Sequence, residues 1–595
     1  MKKKLIIIIS IFLAVLIMAL SLGLTLSKCT SNKKIVNVVV DADDTSSNND
    51  TTSDDQDSSR NEDQDPYISD NISLSNGFTD YEAIDPNDFV NTKTEFIHLS
   101  ANNNEENIAS PFFRGITGTV YWSSEYLGLD PAGRQYTDEM IDMELERLRD
   151  AGIHYLRTGF WSDWMYTGNP DSPWDANTET MHRFYDWCKK VETYGMQVII
   201  VFAWSPTFVH GGSQYLSEVE YLYPRKTDEN GNKIVMNLFG TWVEEPDTEL
   251  TNKRYSEWCV ALLDGLKEHD VKNAYHLLLG TEPRENGGSA EGAFVEYQLD
   301  TYKTLHNKLV ETGYRDDVIL IGPNQSNITT RAGLASRFMA EAPEVFDIYS
   351  THYTVFGQTS VDDCYADAAV LYDGWMEKMD NFELRFKQEF WCDEYSVNAD
   401  KFGEHGSIDP WMAIGGTAGL IAATNAGISG INYWQLFDQS WPDYYESGGE
   451  YINGIQSDGA SPSLYESQTP YPSYYGLMLY SKYMSYGDKT GVSYRCEGSV
   501  TDGLYLAMAR LSDGNWSIIV VNHTTDTKSF QIDIAESLGG ATMYRYLYNV
   551  QTADSDVYAT PITADKGFSN VKNILVDTLN GGSIAVYSTI KDIAE

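Results

Sequence analysis

Between Phe112 and about Gly487, short apolar runs alternate with longer amphipathic ones eight times. The short runs are "FFRGITGTV", "HYLRTGF", "QVIIVFAW", "AYHLLLG", "VILIGPN", "FDIYSTHY", "EFWCDEYS" and "GINYWQLF". Each is nearly continuous in apolar character, as expected of a parallel strand covered on both faces. The longer runs have the spacing of helices. "TDEMIDMELERLRDAG" offers Thr137 as a cap, Ile141, Leu145 and Leu148 on one face, and Gly152 as a stop. "ETMHRFYDWCKKVETYG" and "GAFVEYQLDTYKTLHNKLVETG" repeat that plan, the second with Phe294, Tyr297, Tyr302, Leu305 and Leu309 along its face. Eight such units predict a closed (β/α)₈ barrel, a TIM-type α/β fold, over residues 112–487. The competing arrangement is an open doubly wound sheet, but no glycine-rich dinucleotide fingerprint opens the first βα turn.

After Gly487 the helical period disappears. "LYLAMARL", "WSIIVVNHT", "KSFQIDI", "ATMYRYLYN", "NILVDTL" and "SIAVYSTI" are short strands separated by Gly, Asn, Asp and Ser turns. They predict an all-β sandwich over residues 488–595, and the helix-free segment 76–111 is a candidate for extra strands of it.

The first 28 residues have the pattern of an export segment: a basic "MKKK" followed by an uncharged apolar run from Leu5 to Leu26. The run is long enough to span a bilayer, so cleaved signal, retained anchor and lipoprotein (through Cys29) are all open. Residues 29–75 follow as an acidic Ser/Asp/Asn linker. Between Asp41 and Asp65 it holds ten acidic residues against one basic, Arg60, with almost nothing to bury, which predicts a disordered tether. The expected location is therefore outside the cell, either secreted or held at its surface with membrane contact only through the N-terminal segment.

The net charge is −45, and the tether accounts for little of it, since residues 1–40 hold six lysines and no acid. The folded part is itself acidic, which argues against nucleic acid and polyanionic partners. Neutral partners are expected. Of the six cysteines, none falls in a metal-ligand spacing, and the five beyond Cys29 are scattered as buried core residues would be. No metal or cofactor is expected. Tyrosine and tryptophan are abundant, at 40 and 14, which suits a surface that stacks sugars.

In a (β/α)₈ barrel, chemistry sits where strands run into βα loops. Glu282, in "LLLGTEPREN", follows the fourth strand, and Glu394, in "FWCDEYS", ends the seventh. Two carboxylates meeting over a glycosidic bond are the minimum apparatus for its cleavage. By strand alternation the neighbouring Asp393 should point away from Glu394.

The arrangement resembles the clan A glycoside hydrolases, retaining enzymes on this barrel, and the likeness covers all eight βα units. The resemblance implies an acid/base role for Glu282 in "TEP" and a nucleophile role for Glu394 in "DEYS". It implies that Arg157 in "YLRTGF" neighbours the nucleophile and that Tyr353 in "STHYT" hydrogen-bonds it, with His352 beside it. It implies that Trp434 in "NYWQLF" floors the sugar subsite. The appended sandwich resembles the layout of families 39, 30 and 79. One position departs from the pattern: Thr281 stands where the clan usually has an asparagine that binds the substrate 2-hydroxyl. The mechanism implied is double displacement, with the two carboxyl groups roughly 5–5.5 Å apart.

Each residue also has a plainer reading. Arg157 and Tyr353 could belong to a structural network, and His352 could be a satisfied core histidine. Trp122, Trp161, Trp164 and Trp204 could stack sugars or simply pack loops. The run "TWVEEPDTEL" suits a solvated loop. At the level of the whole protein, the first expectation is a monomeric retaining β-glycosidase acting on a neutral poly- or oligosaccharide. The alternative is a carbohydrate-binding protein on a catalytically degenerate barrel.

Overall fold

The computed structural model describes residues 80–81, 96–119, 138–202, 221–222, 224–238, 241–244, 247–279, 291–326, 333–355, 360–397, 410–433, 472–484, 490–496, 500–551 and 563–591. The apolar run Leu5–Leu26, the tether and Cys29 lie outside these residues. Among the described residues no helix is long and apolar enough to cross a membrane.

Three N-terminal strands come first: β1 (Asp80–Tyr81), β2 (Ile97–Ala101) and β3 (Ile108–Phe113). The barrel follows. Its strands are β4 (Gly115–Thr119), β5 (Tyr155–Phe160), β6 (Gln197–Phe202), β9 (His276–Leu279), β10 (Ile319–Ser326), β11 (Ile348–Val355), β12 (Glu389–Val397) and β13 (Gly430–Tyr433). All eight are parallel, and β13 pairs back onto β4 to close the ring. Each strand lies on one of the eight apolar runs of the sequence, with β10, β11 and β12 continuing one or two residues beyond theirs. Around them lie α1 (Asp138–Asp150), α2 (Glu179–Thr193), α3 (Thr248–Glu268), α4 (Glu291–Thr312), α5 (Gly333–Glu341), α6 (Val361–Asn381), α7 (Pro410–Ala426) and α8 (Pro472–Met484).

Between β6 and α3 a hairpin is inserted, β7 (Val235–Leu238) with β8 (Thr241–Glu244). The stretch expected as a solvated loop therefore supplies a strand. It also supplies the Asp247 cap, whose side chain accepts a hydrogen bond from Leu250 N at 3.1 Å.

Alternation along the strands sorts the core into two shells. Leu156, Val198, Ile200, Leu277, Cys392 and Ile431 face the helices. Tyr155, Ile199, Val201, Leu278, Ile321, Ile348 and Trp391 form a separate plug inside the barrel. At the N-terminal end of the barrel, Arg114 donates two hydrogen bonds to Glu389, at 2.7 and 2.6 Å, and a third to the Tyr155 hydroxyl at 2.9 Å. Trp391 Nε1 donates to the same carboxylate at 2.8 Å. One end of the barrel is thus sealed by an ion pair. Going up the strands, the inward positions change from apolar to polar: Tyr155 gives way to Arg157, and Ile348 to Ser350 and His352.

The β domain has two sheets. The larger has nine strands and takes in β1 and β3, and the smaller has three and takes in β2. Its C-terminal strands are β14 (Gly491–Tyr494), β15 (Val500–Thr501), β16 (Leu504–Arg510), β17 (Trp516–Asn522), β18 (Lys528–Ile534), β19 (Ala541–Asn549), β20 (Ala564–Val571), β21 (Ile574–Leu579) and β22 (Ser583–Ser588). The chain therefore contributes to this domain from both sides of the barrel: β1 pairs with β20, β2 with β18, and β3 with β14.

The larger sheet is buried on both faces. Leu506, Met508, Ile518 and Val520 meet the small sheet, whereas Tyr505, Ala507, Ile519 and Val521 join the barrel's outer core. The second face explains helix α7, which is apolar all round and almost wholly buried. Asn425, near its end, donates to Leu506 O at 2.8 Å and accepts from Cys496 N at 3.0 Å. Cys188, Cys259, Cys364, Cys392 and Cys496 are all buried thiols with no disulfide among them.

Candidate active site

Polar inward positions on β5, β11 and β12 converge. Arg157 is buried and donates from Nη2 to Glu394 Oε2 at 3.4 Å. His352 is buried as well, and its Nδ1 lies 3.3 Å from that same oxygen. Glu394 keeps some access to solvent, with 12% of its side chain exposed, while Arg157 shows 3% and His352 1%. A carboxylate at the seventh strand end is thus held from one side by a guanidinium and an imidazole and left open on another. Arg157, His352 and Glu394 are all candidates on sequence grounds, and the fold brings them together.

A β-bulge makes this possible. Along β11 and β12, Thr351 pairs with Cys392, but the next residue, His352, pairs with Glu394. Against β13, Cys392 pairs with Ile431 and Tyr395 with Tyr433, a step of three against two. Strand β12 therefore carries one extra residue between Cys392 and Tyr395. Strict alternation from the inward Trp391 would send Glu394 into the helix layer and turn Tyr395 inward. Instead Tyr395 faces the helices, where its hydroxyl donates to Gly416 O at 2.8 Å, and Glu394 turns to the mouth.

The same bulge corrects the expectation for Asp393. It is buried, and its Oδ1 lies 3.5 Å from His352 Nε2. The two adjacent carboxylates flank opposite nitrogens of one imidazole. Burial pushes Asp393 up to about 6, with the Glu394 charge acting in the same direction. The His352 and Arg157 charges and the Ser350 hydroxyl pull the other way. Strand alternation alone makes Asp393 a bystander; the acidic doublet "DE" at a strand end is the signal that could have found it.

Glu282, Thr281, Trp122, Trp204 and Trp434 lie outside the described residues. The strand leading to Glu282 is described as far as Leu279, whose carbonyl accepts a hydrogen bond from Tyr302 of α4 at 2.6 Å. Tyr353 lies in β11 opposite Tyr395 in register, placed by its backbone alone. Of the other tryptophans, Trp164 is core, packed edge-on against Phe160 with ring centres 5.2 Å apart. Trp161 is half-buried, and its indole lies over Gly159, two residues beyond Arg157 on the same strand.

No protein-family description matches the sequence, and no curated protein does. Among solved structures, the fold is similar to that of a GH30 endoxylanase from Clostridium papyrosolvens C71. That match has 12% identity and a TM-score of 0.54, covering 83% of this chain and 99% of the other. It is also similar to GH30 xylanase C from Talaromyces cellulolyticus, with 13% identity and a TM-score of 0.52 over 83% of this chain and 99% of that one. The endo-β1,6-glucanase BT3312 matches with 13% identity and a TM-score of 0.52 over 84% and 94%. At such identities the likeness establishes the architecture, a (β/α)₈ barrel with an attached β domain.

Proposed function

We propose that this chain is a retaining β-glycoside hydrolase that cleaves a neutral β-linked poly- or oligosaccharide. The observation that carries the reading is the setting of Glu394. It is a carboxylate at the end of the seventh barrel strand, turned to the mouth by a bulge and held through one oxygen by Arg157 and His352. Holding a carboxylate by donors at one oxygen fixes its orientation and leaves charge for attack.

In this reading Glu394 attacks the anomeric carbon as the glycosidic C–O bond breaks. Glu282, three residues beyond the end of β9, gives its proton to the departing oxygen. Water then attacks the glycosyl ester, Glu282 takes its proton, and Glu394 is released as a carboxylate. Tyr302, bonded to Leu279 O, anchors the strand from which Glu282 extends. The structural neighbours, two xylanases and a β-1,6-glucanase, support a sugar polymer as substrate class. The acidic net charge of −45 favours an uncharged polymer. The apolar N-terminal segment and acidic linker support action outside the cell, on a tether; fractionation of the full chain tests that location.

The activity test is a screen of β-glucan, xylan, mannan and galactan with NMR of the first-formed anomer, together with Glu394→Gln. Release of the β-anomer by the wild type and loss of turnover in the variant, with sugar binding kept, support the proposal. Binding without turnover in the wild type would instead indicate a carbohydrate-binding barrel, and first-formed α-anomer would indicate an inverting enzyme.

A further inference from the structure

The bulge that turns Glu394 to the mouth also sets Asp393 behind His352, so that one buried imidazole has a carboxylate oxygen at each nitrogen. Glu394 Oε2 is 3.3 Å from Nδ1 and Asp393 Oδ1 is 3.5 Å from Nε2. A neutral imidazole has one N–H and one lone pair. If both carboxylates were ionised beside a neutral ring, the lone pair would face a carboxylate oxygen with water excluded, a repulsive contact at low dielectric. Two arrangements avoid this. In one, the ring is an imidazolium facing both carboxylates. In the other, a neutral ring directs Nδ1–H at Glu394 while a proton on Asp393 faces Nε2. They differ only in where one proton sits between Oδ1 and Nε2, and both present N–H to Glu394.

We propose that Asp393 is a positioning residue that shares one proton with His352, and so keeps an N–H rather than a lone pair aimed from Nδ1 at Glu394. Its catalytic meaning rests on the glycosidase reading; the proton placement does not. The groups around Asp393 come from four elements: His352 and Ser350 on β11, Arg157 on β5, Cys392 and Glu394 on β12, and Tyr302 on α4. Of these, His352 brings its Nε2 to 3.5 Å from Asp393 Oδ1. The raised proton affinity that burial gives Asp393 acts in the direction the sharing requires. Losing the shared proton at higher pH would leave a single N–H for two carboxylates. It would then be divided between Glu394 and Asp393.

The test is ¹⁵N NMR of the full chain labelled at histidine, with His352 among the ten histidines assigned by its absence in His352→Gln. At pH 5 the wild type is expected to show Nδ1 as a protonated nitrogen and Nε2 as protonated or proton-sharing, changing together in one titration on the alkaline side. In Asp393→Asn the carboxamide donates to Nε2. That ring is expected to stay neutral with Nδ1–H across the range, without the titration. A bare Nδ1 in the wild type at pH 5 would overturn the proposal, and so would the same pH dependence in both proteins. If the variant does not fold, the wild-type spectrum alone decides. Because the readout is not turnover, a protein without glycosidase activity leaves this test intact.

Discussion

The hydroxyl of Tyr395 occupies the space that a side chain on Gly419 would need. A Cβ built on that glycine of α7 would overlap the phenol oxygen and stand 3.1 Å from Cζ. Tyr395 adjoins Glu394 on the bulged strand and is anchored to Gly416 O of the same helix. The close approach of α7 to β12 therefore reaches the candidate nucleophile through one ring. Gly419→Ala is expected to cost about 1–3 kcal/mol of stability, the range for overpacking a filled core. It should also lower kcat/KM by displacing Glu394. Denaturant unfolding and steady-state kinetics check the two effects separately.

Removing the guanidinium beside Glu394 tests the site more directly. A hydrogen bond to a charged group is worth about 1.5–3 kcal/mol, so Arg157→Met should lower kcat/KM about 10- to 100-fold. Arg157→Lys should recover part of this, since it restores charge without the planar fork. Kinetics on one aryl β-glycoside compare the three proteins.

The opposite end of the barrel should behave differently. Arg114 and Glu389, whose side chains are 21% and 13% exposed, seal it with paired hydrogen bonds. Glu389→Gln leaves a partly buried guanidinium short of its counter-charge. The expected cost is about 2–3 kcal/mol, below the full penalty for a wholly buried pair because both groups retain some water. Chemical denaturation measures that loss, and turnover per folded molecule should be unchanged.

The buried Asp393 gives stability a pH dependence of definite sign. Its folded-state value of about 6 stands above the ordinary 3.8, so the folded state binds this proton more tightly than the unfolded chain. The associated stabilisation is complete below about pH 4 and is lost as pH rises through about 6. Asn does not titrate. The stability of Asp393→Asn relative to wild type should therefore improve by about 2 kcal/mol between pH 4 and pH 7, because a tenfold difference in proton affinity corresponds to about 1.4 kcal/mol. Thermal or urea unfolding across that range checks it.

The barrel was legible in the sequence because its strands are buried on both faces and its helices, α7 apart, on one, and each condition leaves its own period. Glu394 was legible for a related reason, as an acid near the end of an apolar barrel strand, whereas Arg157 and His352 stood out only through the resemblance to the clan A glycoside hydrolases. Strand β20 was not. Of its residues only Gly567 and Val571 are buried, so no apolar alternation marks it, and its place comes from pairing with β1 and β19. The pairing of β1, β2 and β3 with distant C-terminal strands likewise leaves no local trace.

By itself, then, the sequence determined which segments form the strands and helices of the barrel and which of those strands bear acids, because burial imposes a period that each of these segments records alone. Only the tertiary structure decided where those acids point. Strict alternation would have buried Glu394 among the helices and parted it from Asp393. The extra residue in β12 reverses this, and it exists only as a mismatch in register with the two neighbouring strands, β11 and β13. A bulge is a relation between strands, so no single strand's pattern can contain it.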